Sequence, residues 1–175
     1  MDDSILKIGI IGPGRELCSE PLYNFGVELG RQLATPGRVF VCGGLGGFME
    51  AVCNGVKQSL HTFHGQTLGF LPGTDRNAAN PYIDVAVPTG MGLARNLLIV
   101  QTAEILIAAG GGAGTLSEIA FAWQSGKKVL CITCFEGWAK ELAGRNLDDR
   151  FHGLLVPVVS IEEVNEVLRQ IESVS

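Results

Sequence analysis

Apolar positions along this chain fall into two alternating patterns. Short unbroken apolar runs give way to stretches where apolar residues recur every three or four positions. Ile5 to Ile11 is a β-branched apolar run and predicts a buried parallel strand, closed by Gly12-Pro13-Gly14. From Pro21 to Ala34, Leu22, Phe25, Leu29 and Leu33 recur at helical spacing. Arg38 to Cys42 predicts a second strand, followed by Gly43-Gly44-Leu45-Gly46-Gly47. Phe48 to Ser59 puts Met49, Val52, Cys53 and Val56 on one helical face. Gln66 to Leu71 predicts a third strand, Thr74 to Tyr82 a polar loop, and Ile83 to Val87 a short strand closed by Pro88.

The alternation continues to the end of the chain. Gly92 to Thr102 predicts a helix, Glu104 to Ala109 a buried strand, Leu116 to Gln124 a helix and Lys128 to Thr133 a strand. Phe135 to Arg145 suits either a helix or irregular chain. Leu154 to Val159 predicts a last strand and Ile161 to Ile171 a last helix, with Ser160 and Glu163 spaced as a capping box. Alternating strands and helices predict an α/β fold. The expected form is a doubly wound, mostly parallel sheet of about seven strands with helices on both faces. Ligands of such sheets bind beyond the carboxyl ends of the strands, where three glycine-rich loops here should converge.

Composition narrows the classes. The 175 residues suit a single domain over 1–175, and 46% hydrophobic residues exclude a disordered chain. Charged residues make up only 18%, against roughly 25% in ordinary globular chains, so part of the surface is expected to be covered in an oligomer. The 24 glycines cluster beside apolar runs, which points to ligand contacts made by backbone. Net charge is −5 and no Lys/Arg cluster occurs, which argues against nucleic acid. Leu97 to Ala109 is too short, and too interrupted by Gln101, Thr102 and Glu104, to span a bilayer. Met1-Asp2-Asp3 lacks the basic start of a signal peptide. An odd count of five cysteines suits reduced thiols, so a cytoplasmic protein is expected.

Gly110-Gly111-Gly112-Ala113-Gly114-Thr115 carries the strongest chemical signal. Glycines let backbone N–H groups approach an anion, and a helix start adds the positive end of its dipole. Thr115 is placed to cap that helix, and Glu118 lies one turn in, on the same edge. A tight turn with a first-turn Glu facing the dipole is the plainer alternative. No Lys-Ser/Thr follows the glycines, so this is not a Walker loop. Gly12-Pro13-Gly14 lacks both the dinucleotide spacing and the acidic residue about 20 positions on. Gly43, Gly44, Gly46 and Gly47 follow a strand and open a helix, as a ligand loop or a close helix–strand contact would. Thr89-Gly90-Met91-Gly92-Leu93-Ala94-Arg95-Asn96 precedes another helix, with Arg95 a fork of donors for phosphate or carboxylate. An Arg95–Glu118 salt bridge is the alternative use.

Several motifs in order resemble one family: Gly43-Gly44 with Gly47, Met49-Glu50-Ala51, Leu71-Pro72-Gly73, Asn80-Pro81, Gly90-Met91, Ala94-Arg95-Asn96 and Gly110 to Glu118. They resemble the molybdenum cofactor carrier proteins, within the wider superfamily of Lonely Guy phosphoribohydrolases and their "lysine decarboxylase-like" relatives. The resemblance spans Lys7 to about Val159. It implies a Rossmann-like fold, a homo-oligomer (dimer or tetramer), and phosphate on the Gly110–Thr115 loop. In the hydrolase branch a Pro-Gly-Gly-x-Gly-Thr-x-x-Glu motif and an upstream Arg-Lys pair carry catalysis. Arg95 and Glu118 match the catalytic Arg and Glu there. Gly110 replaces the Pro and Asn96 the Lys, and this Arg-Asn pair looks like the carrier branch.

The expected ligand-binding set is therefore Gly12, Gly14, Gly43, Gly44, Gly46, Gly47, Thr89, Gly90, Arg95, Asn96, Gly110, Gly111, Gly112, Ala113, Gly114, Thr115 and Glu118. The first expectation is a protein that binds, protects and carries molybdenum cofactor as cargo without turning it over. The loop Asp75 to Asn80 would close over the pterin, and a molybdoenzyme or cofactor-synthesis protein would be its partner. The second is a hydrolase splitting nucleoside 5′-monophosphates to free base and ribose 5-phosphate, with Arg95 and Glu118 as catalytic residues. The third is a nucleotide sensor. No catalytic metal is expected: His61 and His64 lack partners, and Cys131-x-x-Cys134 has no second pair. Cys42 reads as a core thiol, Trp123 and Trp138 as core or interface residues, and His152 as a surface residue.

Overall fold

The computed structural model describes residues 5–150 and 153–173. Seven strands form one sheet: β1 (Leu6–Ile11), β2 (Arg38–Cys42), β3 (Thr67–Leu71), β4 (Val85–Pro88), β5 (Ile105–Ala109), β6 (Lys128–Ile132) and β7 (Leu154–Val158). Their spatial order is β4-β3-β2-β1-β5-β6-β7, and every neighbouring pair runs parallel. The doubly wound α/β sheet expected from the hydrophobic pattern is present, and it is wholly parallel.

Among the described residues, six α-helices cover it. α1 (Glu20–Leu33), α2 (Phe48–Gln58) and α6 (Ile161–Glu172) pack on one face, against Ile8, Ile10, Phe40, Ile105, Ile107 and Leu130. α3 (Asn96–Thr102), α4 (Ala113–Gln124) and α5 (Trp138–Leu142) pack on the other, against Ile11, Val41, Leu106, Ala108, Val129 and Cys131. Successive residues of one strand thus feed opposite cores, as the two-residue period of a pleated strand requires. Burial on both faces is why β1 and β5 read as continuous apolar runs.

The larger departures from the pattern-based expectation fall at the starts of β4, α3 and α4. β4 starts at Val85 rather than Ile83, because Ile83 packs against the core ahead of the ladder and Asp84 turns inward. The Asp84 carboxylate accepts from Lys57 Nζ at 2.5 Å and from Thr67 N and Oγ1 at 3.2 and 3.1 Å. Gly92–Arg95 is a 3-10 turn, and α3 begins only at Asn96. α4 begins at Ala113, three residues before Leu116. Its N-cap is Gly112, so Thr115 lies inside the first turn and does not cap the helix. Phe135 to Arg145 holds the short α5. Ser160 caps α6 by accepting from Glu163 N at 3.3 Å, while Glu163 Oε2 accepts from Val159 N at 2.8 Å rather than from Ser160 N.

Buried Arg38 ties the amino end of the sheet to two helices. Its Nε and Nη2 donate to the two Glu172 oxygens at 2.6 and 2.9 Å, and its Nη1 donates to Leu33 O and Asn165 Oδ1, both at 3.1 Å. The opposite end of the sheet carries the site. The chain steps from β1 outward to β4 and then returns to place β5 on the other side of β1. The loops leaving β1 and β5 therefore diverge to opposite faces and leave a crevice between them. Among the described residues no helix is long and apolar enough to cross a membrane.

Candidate functional site

A cleft of about 580 Å³ opens at that crevice, over the carboxyl ends of β1, β2 and β5. It is lined by Gly12, Gly14, Arg15, Glu16 and Leu17 after β1, and by Leu45, Gly46 and Met49 between β2 and the first turn of α2. Ala78, Leu93, Arg95, Asn96, Gly114, Thr115 and Glu118 complete it. Eight residues of the expected binding set thus come together: Gly12, Gly14, Gly46, Arg95, Asn96, Gly114, Thr115 and Glu118.

The other expected positions lie outside this lining, and their surroundings explain why. Gly43 makes room for Arg95: a Cβ there would stand 2.5 Å from Arg95 Nη2. Gly47, with φ +90°, lets the α2 loop press on the β1 loop, since its Cβ would meet Pro13 O at 2.4 Å. Gly44 packs against Gly69 and Leu71. Thr89 Oγ1 donates to Leu71 O at 2.7 Å and so holds the loop at Gly90. Gly110 backs onto Leu22 and Glu136 O, and Gly111 and Gly112 make the turn before exposed Ala113. The loop Asp75 to Asn80 is pinned beside the cleft. Asn80 N donates to Gly44 O and its Nδ2 to Leu45 O, both at 2.9 Å, which brings Ala78 to the rim.

Arg95 dominates the electrostatics. Its side chain is only 10% exposed, and Glu118 lies 3.8 Å from Nη1 at 8% exposed. That separation is longer than a hydrogen bond. Nη1 donates instead to Asn96 Oδ1, and Nε has no partner among the described residues. Burial lowers the guanidinium from its ordinary pKa, while Glu118 and Cys42 pull it back. Burial pushes the Glu118 carboxyl up to about 8, opposed by Arg95. At neutral pH the pair therefore carries a net positive charge. Helix geometry leaves the amides of Ala113, Gly114 and Thr115 without acceptors inside α4, at the positive end of its dipole. A Cβ at Gly14 or Gly114 would meet nothing within 4 Å, so both backbones are open to a ligand. The floor is a cation beside open amides; Leu17, Leu45, Met49 and Leu93 give apolar wall, and exposed Arg15 and Glu16 add charge beside them.

Arg15, Glu16, Leu17, Leu45, Met49 and Leu93 line the cleft without having been expected there, while Ala78 comes from the loop expected to close over it. Arg15 was the findable one, because it directly follows Gly12-Pro13-Gly14. It reaches Glu50 at 3.4 Å with its side chain 79% exposed.

The weaker candidates fall elsewhere. Cys42 is buried behind Gly43, its Sγ 4.0 Å from that of Cys53. Cys131 is buried in β6 and Cys134 is exposed. Trp123 is buried in the α4 core, and Trp138 is partly exposed. His64 Nδ1 stands 3.5 Å from Asp84, and His152 lies outside the described residues. Among the described residues no three His, Cys, Asp or Glu group as a metal site.

Three solved structures are similar over nearly the whole chain. The protein TM1055 superposes with a TM-score of 0.84 at 30% identity, covering 94% of this chain and 99% of that one. The molybdenum cofactor binding protein of the phototrophic bacterium Rippkaea orientalis gives 0.79 at 30% identity, covering 95% and 96%. The molybdenum cofactor carrier protein of Chlamydomonas reinhardtii gives 0.79 at 27% identity, covering 96% and 99%. The Rossmann-like fold is thus shared throughout. With the family's model matched from residue 5 to residue 164, the chain belongs to the SLOG cluster4 family.

Proposed function

We propose that this cleft binds molybdenum cofactor, a phosphorylated molybdopterin, and that the protein protects and carries it without turning it over. Arg95 carries the reading: a buried guanidinium whose Nε has no partner among the described residues, in a chain of net charge −5, beside amides with no acceptor inside α4. A phosphate monoester supplies what both lack, through charge-assisted bonds from Arg95 and amide bonds from the α4 turn. Thr115, buried at the same turn, adds a hydroxyl. The apolar walls suit a flat pterin, and the volume of about 580 Å³ exceeds what a phosphate alone fills. The similar proteins of Rippkaea orientalis and Chlamydomonas reinhardtii, named for binding and carrying this cofactor, support the assignment.

Glu118 adds a group suited to an anion: burial pushes its carboxyl up to about 8, so near neutral pH it keeps a proton to donate. A native mass spectrum of anaerobically purified protein mixed with molybdenum cofactor tests the proposal. A ligand-shifted peak is expected, and its mass also counts the subunits of the proposed homo-oligomer. An unshifted peak, with cofactor decay unslowed, overturns it.

The placement of Arg95 and Glu118 in one cleft favours a second reading, hydrolysis of a nucleoside 5′-monophosphate. Free base and ribose 5-phosphate released from AMP would establish it. A nucleotide bound without release would mark a sensor instead.

A further inference from the structure

We infer that Asn96 and Ser117 are positioning residues, which lock the Arg95 guanidinium to the first turn of α4 through a one-way hydrogen-bond relay. The inference deepens the phosphate-binding reading and rests on it. Arg95 Nη1 donates to Asn96 Oδ1, Asn96 Nδ2 donates to Ser117 Oγ at 2.9 Å, and Ser117 Oγ donates to Gly114 O at 2.7 Å. The relay starts at a group that can only donate and ends at one that can only accept. Its polarity is therefore forced, and the Asn96 amide has a single workable orientation. Asn96 is 3% exposed, so water does not substitute for a lost partner at little cost.

The relay has two consequences. Arg95 and the open amides of α4 are held as one unit, although they come from different elements. Nη1 is also kept on Asn96 and off Glu118, which holds the ion pair open at 3.8 Å. Were Nη1 released, the guanidinium would close on Glu118 and neutralise the charge offered to an anion. Among the described residues, two ionisable groups face Glu118: Arg95, from the turn before α3, and the Cys42 thiol at the end of β2. Ser117 is the informative position. It is half-buried on α4 and does not line the cleft, so an effect on binding must travel through its neighbours.

The test uses the intact protein, Ser117→Ala and Ser117→Thr, with two readouts: titration of the ¹³C-labelled Glu118 carboxyl and affinity for inorganic phosphate. In Ser117→Ala the Glu118 midpoint should fall by about one pH unit as Arg95 closes on it. Phosphate affinity at neutral pH should fall about tenfold, and the melting temperature should fall as well, because buried Asn96 Nδ2 loses its acceptor. Ser117→Thr, which keeps the hydroxyl, should restore both. Unchanged midpoint and affinity in Ser117→Ala overturn the relay and leave the phosphate reading standing. Weaker binding with an unmoved midpoint also overturns it, since that marks a general structural loss. A moved midpoint in a protein that never binds phosphate keeps the relay and removes the cargo reading. If Ser117→Ala does not fold, Asn96→Ala is measured in the same way.

Discussion

Replacing Glu118 by Gln should flatten part of this protein's pH–stability profile. The Glu118 carboxyl sits at about 8 in the fold, against an ordinary value of 4.5. Between those values the folded chain keeps a proton that the unfolded chain has released. Stability must then fall as pH rises, the reverse of the usual salt-bridged carboxylate. The loss starts near pH 4.5, ends above about pH 8, and accrues at about 1.4 kcal/mol per pH unit. Across the whole window it amounts to about 4–5 kcal/mol, a large part of the roughly 5–15 kcal/mol that holds a domain together. Gln stays neutral throughout and mimics the protonated acid in shape. Urea unfolding of both proteins through this window gives the difference directly. Glu28, held at about 2 by Arg31 and Gln32, and Asp84, held low by Lys57 and Thr67 against its own burial, are common to both and cancel. The variant should match the wild type near pH 4.5 and exceed it by several kcal/mol above pH 8. Parallel profiles would show that Glu118 is not a buried neutral acid.

Arg95→Gln should weaken cofactor binding by about 1.5–3 kcal/mol by titration calorimetry; unchanged affinity would take Arg95 out of the site. Gly14→Leu should fold normally, because Gly14 has φ −67° and ψ 178° and its Cβ position is open. Its side chain should fill the cleft and block binding, and retained affinity would place the ligand elsewhere. Gly43→Ala should drive the guanidinium from its place, since the new methyl stands 2.5 Å from Arg95 Nη2, and so lower affinity without any ligand contact of its own. Arg38→Met should destabilise the fold by about 2–3 kcal/mol in urea, the low end for a buried pair because Glu172 is 36% exposed and regains water. A loss below about 0.5 kcal/mol would show that the Arg38 network is dispensable.

Much of this architecture was legible in advance. Strands β1, β2, β5 and β6 were readable because a parallel strand buried on both faces is an unbroken apolar run, and α1 and α2 because one helical face is apolar. The switch point followed from strand–helix alternation together with glycine-rich loops at the strand ends. Boundaries failed where distant partners set them. Ile83 extends an apolar run, yet Lys57 and Thr67 turn Asp84 inward and postpone β4. Nothing local to Ala113 or Thr115 says that α4 starts a full turn early.

The sequence alone determined which chemistry was available: the Arg95-Asn96 pair, a glycine-rich helix start, and one Glu a turn inside it. Tertiary structure decided how those groups are used. It buried Arg95 over a glycine, left its Nε without a partner among the described residues, and brought Glu118 to 3.8 Å in a place where water does not stabilise its charge. Gly43, with no side chain, leaves the space that the guanidinium occupies. Ser117, one polar residue among many, became part of the Arg95 relay. Residue type fixes what a group can donate, accept or ionise. Burial and the distance to partners remote in the chain fix its charge, and the packing of α3 and α4 on one sheet sets both.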